Sequence, residues 1–239
     1  HRAGRVATPG GGDVTWGIKT TRCLLRRVIY VAMRVCYRLS VHGQEHVPKR
    51  GAALVVCNHV SFMDALVLGG GSPRSLRFVM DQPIFESRWL KWWFQLVGAI
   101  PVESERHSPG ALRRTLDEVS KALREGDVVM VFPEGRLTPD GDIHTFRRGL
   151  ETILARDNVP VIPAGLAGLW GSWTSHYGGK ALKKWPSRFR APVSLHFGPP
   201  ILVHEVEGVA LRRFLEQRVR ALKAAGDSEI ARCQPRQQD

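Results

Sequence analysis

Ala53-Leu54-Val55-Val56-Cys57-Asn58-His59-Val60-Ser61-Phe62-Met63-Asp64 begins with five apolar residues and then turns abruptly polar. So short an uninterrupted apolar run suits a strand buried on both faces, the kind found inside a parallel sheet. Comparable runs recur at Phe78-Val79-Met80, Ala99-Ile100-Pro101-Val102, Val128-Val129-Met130-Val131-Phe132, Val161-Ile162-Pro163-Ala164 and Val193-Ser194-Leu195-His196-Phe197. Helical patterns lie between them. One takes Ser108 as N-cap and Pro109 at the first position, sets Leu112, Leu116, Val119 and Leu123 on a face, and stops at Gly126. Another groups Leu211, Leu215, Val219 and Leu222 near the C-terminus. This alternation implies an α/β domain with a mostly parallel central sheet flanked by helices on both faces. Reactive groups in such folds collect at strand ends.

The polar half of the opening stretch supplies an acid and a base. Inside one helix His59 and Asp64 would stand about 140° apart and could not meet. Ser61 offers a way round as an N-cap, with Asp64 three residues on at the N3 position. His59 then sits in the turn before the helix, within reach of the carboxylate. A carboxylate on one ring nitrogen fixes the imidazole tautomer and supports the imidazolium formed when the other nitrogen takes a proton. The competing reading is a plain capping box beside an ordinary turn histidine.

Phe132-Pro133-Glu134-Gly135-Arg136-Leu137-Thr138 follows another apolar run. Pro133 and Gly135 impose an irregular turn that presents a carboxylate and a guanidinium. A guanidinium suits bidentate contact with phosphate oxygens, and Glu134 suits a hydroxyl ligand. A surface ion pair on a tight turn is the alternative.

Together, Asn-His-x-x-x-x-Asp and a later Phe-Pro-Glu-Gly resemble the lysophospholipid and glycerol-3-phosphate acyltransferase family over about residues 40–205. Gly98-Ala99-Ile100-Pro101-Val102, Phe146-Arg147-Arg148-Gly149 and Val159-Pro160-Val161-Ile162-Pro163 resemble its weaker blocks, in the family's order. The resemblance implies His59 as general base, Asp64 as its support, and Asn58, Ser61, Glu134, Gly135, Arg136, Arg147 and Arg148 around the acceptor. Gly135 would leave room for close backbone approach or an oxyanion donor. The family's usual arginine position in the Phe-Pro-Glu-Gly block holds Leu137 here, and Ser104 stands where many relatives carry arginine. The Phe-Pro-Glu-Gly-Arg-Leu-Thr form, with Gly165-Leu166-Ala167-Gly168-Leu169-Trp170-Gly171-Ser172, is most similar to the acyltransferase domain of bacterial 2-acylglycerophosphoethanolamine acyltransferase/acyl carrier protein synthetase fusions. No cofactor or metal is implied. The partners implied are an acyl-CoA or acyl carrier protein thioester donor, a lysophospholipid acceptor, and a longer fused polypeptide.

The expected organisation is a linker at 1–13, an N-terminal amphipathic helical segment at 14–40, an acyltransferase domain at 41–226 and a flexible tail at 227–239. Lys and Arg number 35 against 22 Asp and Glu, a net charge of +13, which draws the chain to polyanions. No helix-turn-helix, zinc-finger, RNP or KH signature accompanies basic clusters such as Lys180 to Arg190, so an anionic membrane surface is expected rather than nucleic acid. A catalytically silent membrane-binding domain is the remaining non-enzymatic class. Between Trp16 and Tyr37, apolar residues alternate with arginines in a segment suited either to the headgroup boundary or to the domain's own core. No run reaches the roughly 18–20 apolar residues of a spanning helix. Trp89, Trp92, Trp93 and Phe94 are candidates for the acyl-chain pocket. The four cysteines, Cys23, Cys36, Cys57 and Cys233, are too scattered for a disulfide framework. That scatter suits a reducing setting, and hence the cytoplasmic face of a membrane.

Overall fold

The computed structural model describes residues 11–81, 86, 99–102, 110–172, 175, 177, 190–202 and 208–233. Its strands are β1 Tyr37–His42, β2 Ala53–Cys57, β3 Leu76–Asp81, β4 Ile100–Val102, β5 Val128–Val131, β6 Val161–Ala167 and β7 Ala191–Phe197. They form one sheet in the order β1-β7-β6-β2-β5-β3-β4. Every neighbouring pair is parallel except β6 with β7. The helices are α1 Gly11–Cys36, α2 Asp64–Gly71, α3 Ala111–Arg124, α4 Gly149–Arg156 and α5 Gly208–Cys233.

β2, β5 and β6 are buried along their whole lengths. Their side chains alternate between two cores, as the two-residue repeat of a strand requires. Val55, Cys57, Met130 and Ile162 join one core with Met33 of α1 and Val67 and Leu68 of α2. Leu54, Val56, Val129 and Val161 join the other with Val119 of α3, Leu150 of α4 and Leu215 and Val219 of α5. Helices therefore cover both faces, and the apolar runs are continuous because neither face of the central strands meets water.

The N-terminal segment expected at 14–40 divides. α1 takes in residues 11–13 of the expected linker, whose first ten residues lie outside the described residues, and it ends at Cys36. Tyr37–His42 then forms an edge strand in register with β7, Tyr37 beside Ala191 and His42 beside His196. The period-two signal of buried Tyr37 and Leu39 was hidden by the arginines around it. At the other end, α5 continues through the expected flexible tail to Cys233, with 234–239 outside the described residues. It is held there because Glu229 accepts a 2.6 Å bond from the Ser194 hydroxyl. In α3 the buried face is Ala111, Thr115, Val119 and Leu123, whereas Leu112 is exposed. The helix follows Gly110, and Ser108 and Pro109 lie outside the described residues. Among the described residues no helix is long and apolar enough to cross a membrane.

α5 crosses β6 where β6 carries Gly165. A Cβ built there would stand 2.3 Å from the Lys223 backbone nitrogen and 2.5 Å from the Leu222 carbonyl carbon. Two backbones touch with no side chain between them, so neither can yield. Gly165→Ala is expected to lower the unfolding free energy by about 1–3 kcal/mol through overpacking, measured as a lower urea midpoint with unchanged slope.

Candidate active site

Val56 of β2 lies beside Val131 of β5 in parallel register. The two chains therefore leave the sheet at the same edge, one carrying His59 and the other Glu134. Residues 75 apart in sequence become neighbours: a Glu134 carboxylate oxygen accepts the His59 backbone N–H at 2.9 Å. The His59 carbonyl in turn accepts the Thr138 N–H at 3.0 Å.

The acid and base meet. His59 Nδ1 is 2.9 Å from Asp64 Oδ2, and the same oxygen accepts the N–H groups of Val60 at 2.7 Å and Ser61 at 2.9 Å. An oxygen already receiving two backbone donors acts toward the ring as an acceptor, so the ring donates from Nδ1 and keeps its lone pair on Nε2. The ring is 18% exposed while the Asp64 side chain is fully buried. Phe132 stacks against it, ring centroids 3.9 Å apart and planes 11° from parallel. The imidazole is thus fixed from one edge and one face, with its basic nitrogen free of the Asp64 contact.

The local route differs from the capping box. Met63, not Ser61, is the N-cap, and α2 begins at Asp64 itself. The Ser61 hydroxyl accepts the Met63 N–H at 3.1 Å, and the side chain is wholly buried. Asp64 reaches backward over the turn instead of capping at N3, which brings its carboxylate under His59.

The residues expected around the acceptor separate into two groups. Asn58 is buried and spends its amide on Leu166, donating to the carbonyl at 3.0 Å and accepting the N–H at 2.9 Å. It prolongs the β2–β6 ladder rather than facing a substrate, and buried Ser61 likewise serves the turn. Glu134 is 3% exposed, and its second oxygen accepts the His144 N–H at 2.9 Å. Burial pushes its carboxyl above the usual range, while the N–H donors of His144 and His59 pull it back. Glu134 therefore clamps two loops together. The Gly135 N–H is committed to the Phe132 carbonyl. At φ +65°, with Arg147 Nε 2.8 Å from where a Cβ would stand, position 135 admits no side chain without strain.

Arg136, Arg147 and Arg148 are exposed beside this corner. Arg147 donates from Nε to the Glu134 carbonyl at 3.0 Å, which orients its guanidinium. Arg136 and Arg148 make no side-chain hydrogen bond or ion pair to described residues. Cys57 is fully buried, and burial, with Asp64 and Glu134 nearby, pushes its thiol well above its ordinary pKa. It is a packing group and not a nucleophile. Trp89, Trp92, Trp93 and Phe94, with Ser104 and most of the basic cluster before Arg190, lie outside the described residues. The roles of Phe132, Thr138 and His144 were missed. Phe132 and Thr138 stood within the quoted block, whereas His144 contributes a backbone N–H that no sequence pattern marks.

A family model described as Acyltransferase matches residues 38–167. The 1-acyl-sn-glycerol-3-phosphate acyltransferase of Bacillus subtilis is 27% identical over 131 residues, 54% of this chain and 63% of that protein. A chloroplastic 1-acyl-sn-glycerol-3-phosphate acyltransferase of Arabidopsis thaliana is 30% identical over 133 residues, 55% of this chain and 36% of that protein. The matched segment thus spans less than two thirds of either relative. The crystal structure of the 1-acyl-sn-glycerophosphate acyltransferase from Thermotoga maritima shares the fold with a TM-score of 0.73 at 24% identity, over 94% of this chain and 86% of that one.

Glu134→Gln turns one acceptor oxygen into an amide that faces a backbone N–H. It is expected to cost about 1–3 kcal/mol of stability by leaving that donor unpaired, read as a lower melting temperature with retained far-UV circular dichroism.

Proposed function

We propose that this chain, which belongs to the acyltransferase family, moves a fatty acyl group from a thioester to the free hydroxyl of a lysophospholipid of the 1-acylglycerol-3-phosphate class. The observation carrying this reading is the His59–Asp64 contact beside a turn rimmed by three arginines. His59 Nε2 takes the proton as the acceptor oxygen attacks the thioester carbonyl. The tetrahedral intermediate then collapses, the carbon–sulfur bond breaks, and the imidazolium returns the proton to the departing thiolate. Every atom is accounted for without an acyl-enzyme. Asp64 supports the imidazolium as it forms.

Arg136, Arg147 and Arg148 supply cations for a phosphate monoester. The names of the relatives support that acceptor over 2-acylglycerophosphoethanolamine. The donor is an acyl-CoA or an acyl carrier protein thioester, and no cofactor takes part in the steps written here. His59→Ala is expected to lower kcat by on the order of 10²–10⁴-fold, with the fold kept by circular dichroism. Incubating wild type with a panel of thioesters and lysophospholipids, products read by mass, names both substrates. Turnover retained by His59→Ala removes His59 from its role, and thioester hydrolysis without acyl transfer removes the acceptor.

α1 offers the membrane contact. Ile29, Tyr30 and Met33 turn toward the core. Leu24, Val28, Val31 and Val35 repeat at spacings of four, three and four and are exposed by 53–64%. Exposed Arg27 and Arg34 flank that stripe. Such a helix lies in the plane of a lipid interface, its arginines meeting headgroup phosphates. The thioester donor and the scattered free cysteines suit the cytoplasmic face. Val28→Glu with Val31→Glu is expected to weaken binding to anionic vesicles by roughly tenfold or more, measured by cosedimentation, while activity on dispersed substrate persists.

A further inference from the structure

Strands β1 and β7 run side by side with Ser40 beside Ser194 and His42 beside His196. Their alternate residues Leu39, Val193 and Leu195 belong to the core shared with α1 and α2. The two serines and two histidines meet α5 on the other face, where Glu229 comes down between them. Its Oε2 lies 3.1 Å from His42 Nε2, 3.2 Å from His196 Nε2 and 2.6 Å from the Ser194 hydroxyl, and the Ser40 side chain also hydrogen-bonds to the Glu229 carboxylate. The two imidazoles stack, centroids 4.5 Å apart and planes 25° from parallel, and one ligand atom from each of the three residues lies within 4.8 Å of the others. The proposed acyl transfer uses none of these groups.

We propose that His42, His196 and Glu229 bind one divalent transition-metal ion of the zinc type. Zinc takes imidazole nitrogen and carboxylate oxygen at about 2.0–2.2 Å in a tetrahedron, which sets neighbouring donors about 3.3–3.5 Å apart. The imidazole-to-carboxylate separations of 3.1–3.2 Å already approach that edge. The imidazole nitrogens lie within 4.8 Å of each other, and binding turns the two rings out of their stack so that both lone pairs converge on the ion. Two donors sit in register on adjacent strands and are rigidly placed; the third rides on α5. An ion there joins three elements that backbone bonding links only in part.

The donor set selects the ion. Two imidazoles and one carboxylate favour zinc, nickel or copper over magnesium and calcium, which take oxygen. Each ring would carry its proton on Nδ1 and turn the Nε2 lone pair to the metal. One carboxylate and two neutral rings leave the bound ion with net positive charge. The fourth position is open to water, because the His42 side chain is 50% exposed. Glu229 also borders a cavity of about 340 Å³ lined by Arg34, Arg38 and Arg190, so the carboxylate is reached from solvent.

The test uses the full chain, stripped with chelator and titrated with Zn²⁺ by calorimetry in phosphate-free buffer. One ion per chain is expected, with a rise in melting temperature when Zn²⁺ is in roughly tenfold excess and none with Mg²⁺. His42→Gln and Glu229→Gln should each weaken binding by at least about tenfold, whereas His144→Gln, at a separate His–Asp pair, should not. His42 is half-exposed, so its substitution is tolerated by the fold and the comparison stands even if Glu229→Gln unfolds. Absence of Zn²⁺ binding to wild type, or unchanged affinity in folded His42→Gln, overturns the proposal.

Discussion

The parallel pairing of β2 with β5 is the constraint on which the site rests. With Val56 level with Val131, the two chains leave the sheet together, and the Glu134 carboxylate spans the gap by taking one backbone N–H from each side. A buried carboxylate is costly unless its oxygens are hydrogen-bonded, so this bridge holds only if both loops keep their positions. The cost of burying Glu134 is what makes the corner rigid. His59 inherits that rigidity through its own peptide group, before its side chain makes any contact.

The side chain is then held at Nδ1 and over one ring face. Asp64 has an acceptor oxygen filled by Val60 N–H, Ser61 N–H and the ring, which leaves the ring one tautomer. Phe132 covers one face of the imidazole and limits its rotation. Cations occur on the outer side of the corner, where Arg136, Arg147 and Arg148 meet solvent. The imidazole and the cations therefore occupy different depths.

Away from this edge, α1 and α5 each do more than cover the sheet. α1 sends Met33 inward while leaving Leu24, Val28, Val31 and Val35 in the open. So wide an apolar surface on a single helix is what a second apolar phase would contact. α5 packs on Gly165 at backbone distance, and farther along it lowers Glu229 onto Ser40, His42, Ser194 and His196. Both helices are amphipathic by pattern, but which face meets what is a matter of neighbours.

Much of this was legible in the amino-acid order. Continuous apolar runs mark strands covered on both sides, and the helical repeat of Leu211, Leu215 and Val219 marks a buried face, because burial imposes periodicity locally. The pairing of His59 with Asp64 was accessible because both belong to one turn. Other features depended on partners far along the chain. That Asn58 bonds the backbone of Leu166, and Glu134 that of His144, no local pattern marks. β1 looked helical until β7 lay beside it, and the tail looked loose until Ser194 met Glu229. Amino-acid order by itself determined the fold class and the pairing of His59 with Asp64, since both arise from local spacing. Only tertiary structure decided which polar groups are spent holding the site and which remain for a substrate, because a buried donor or acceptor is satisfied by whatever the packing brings within hydrogen-bond range.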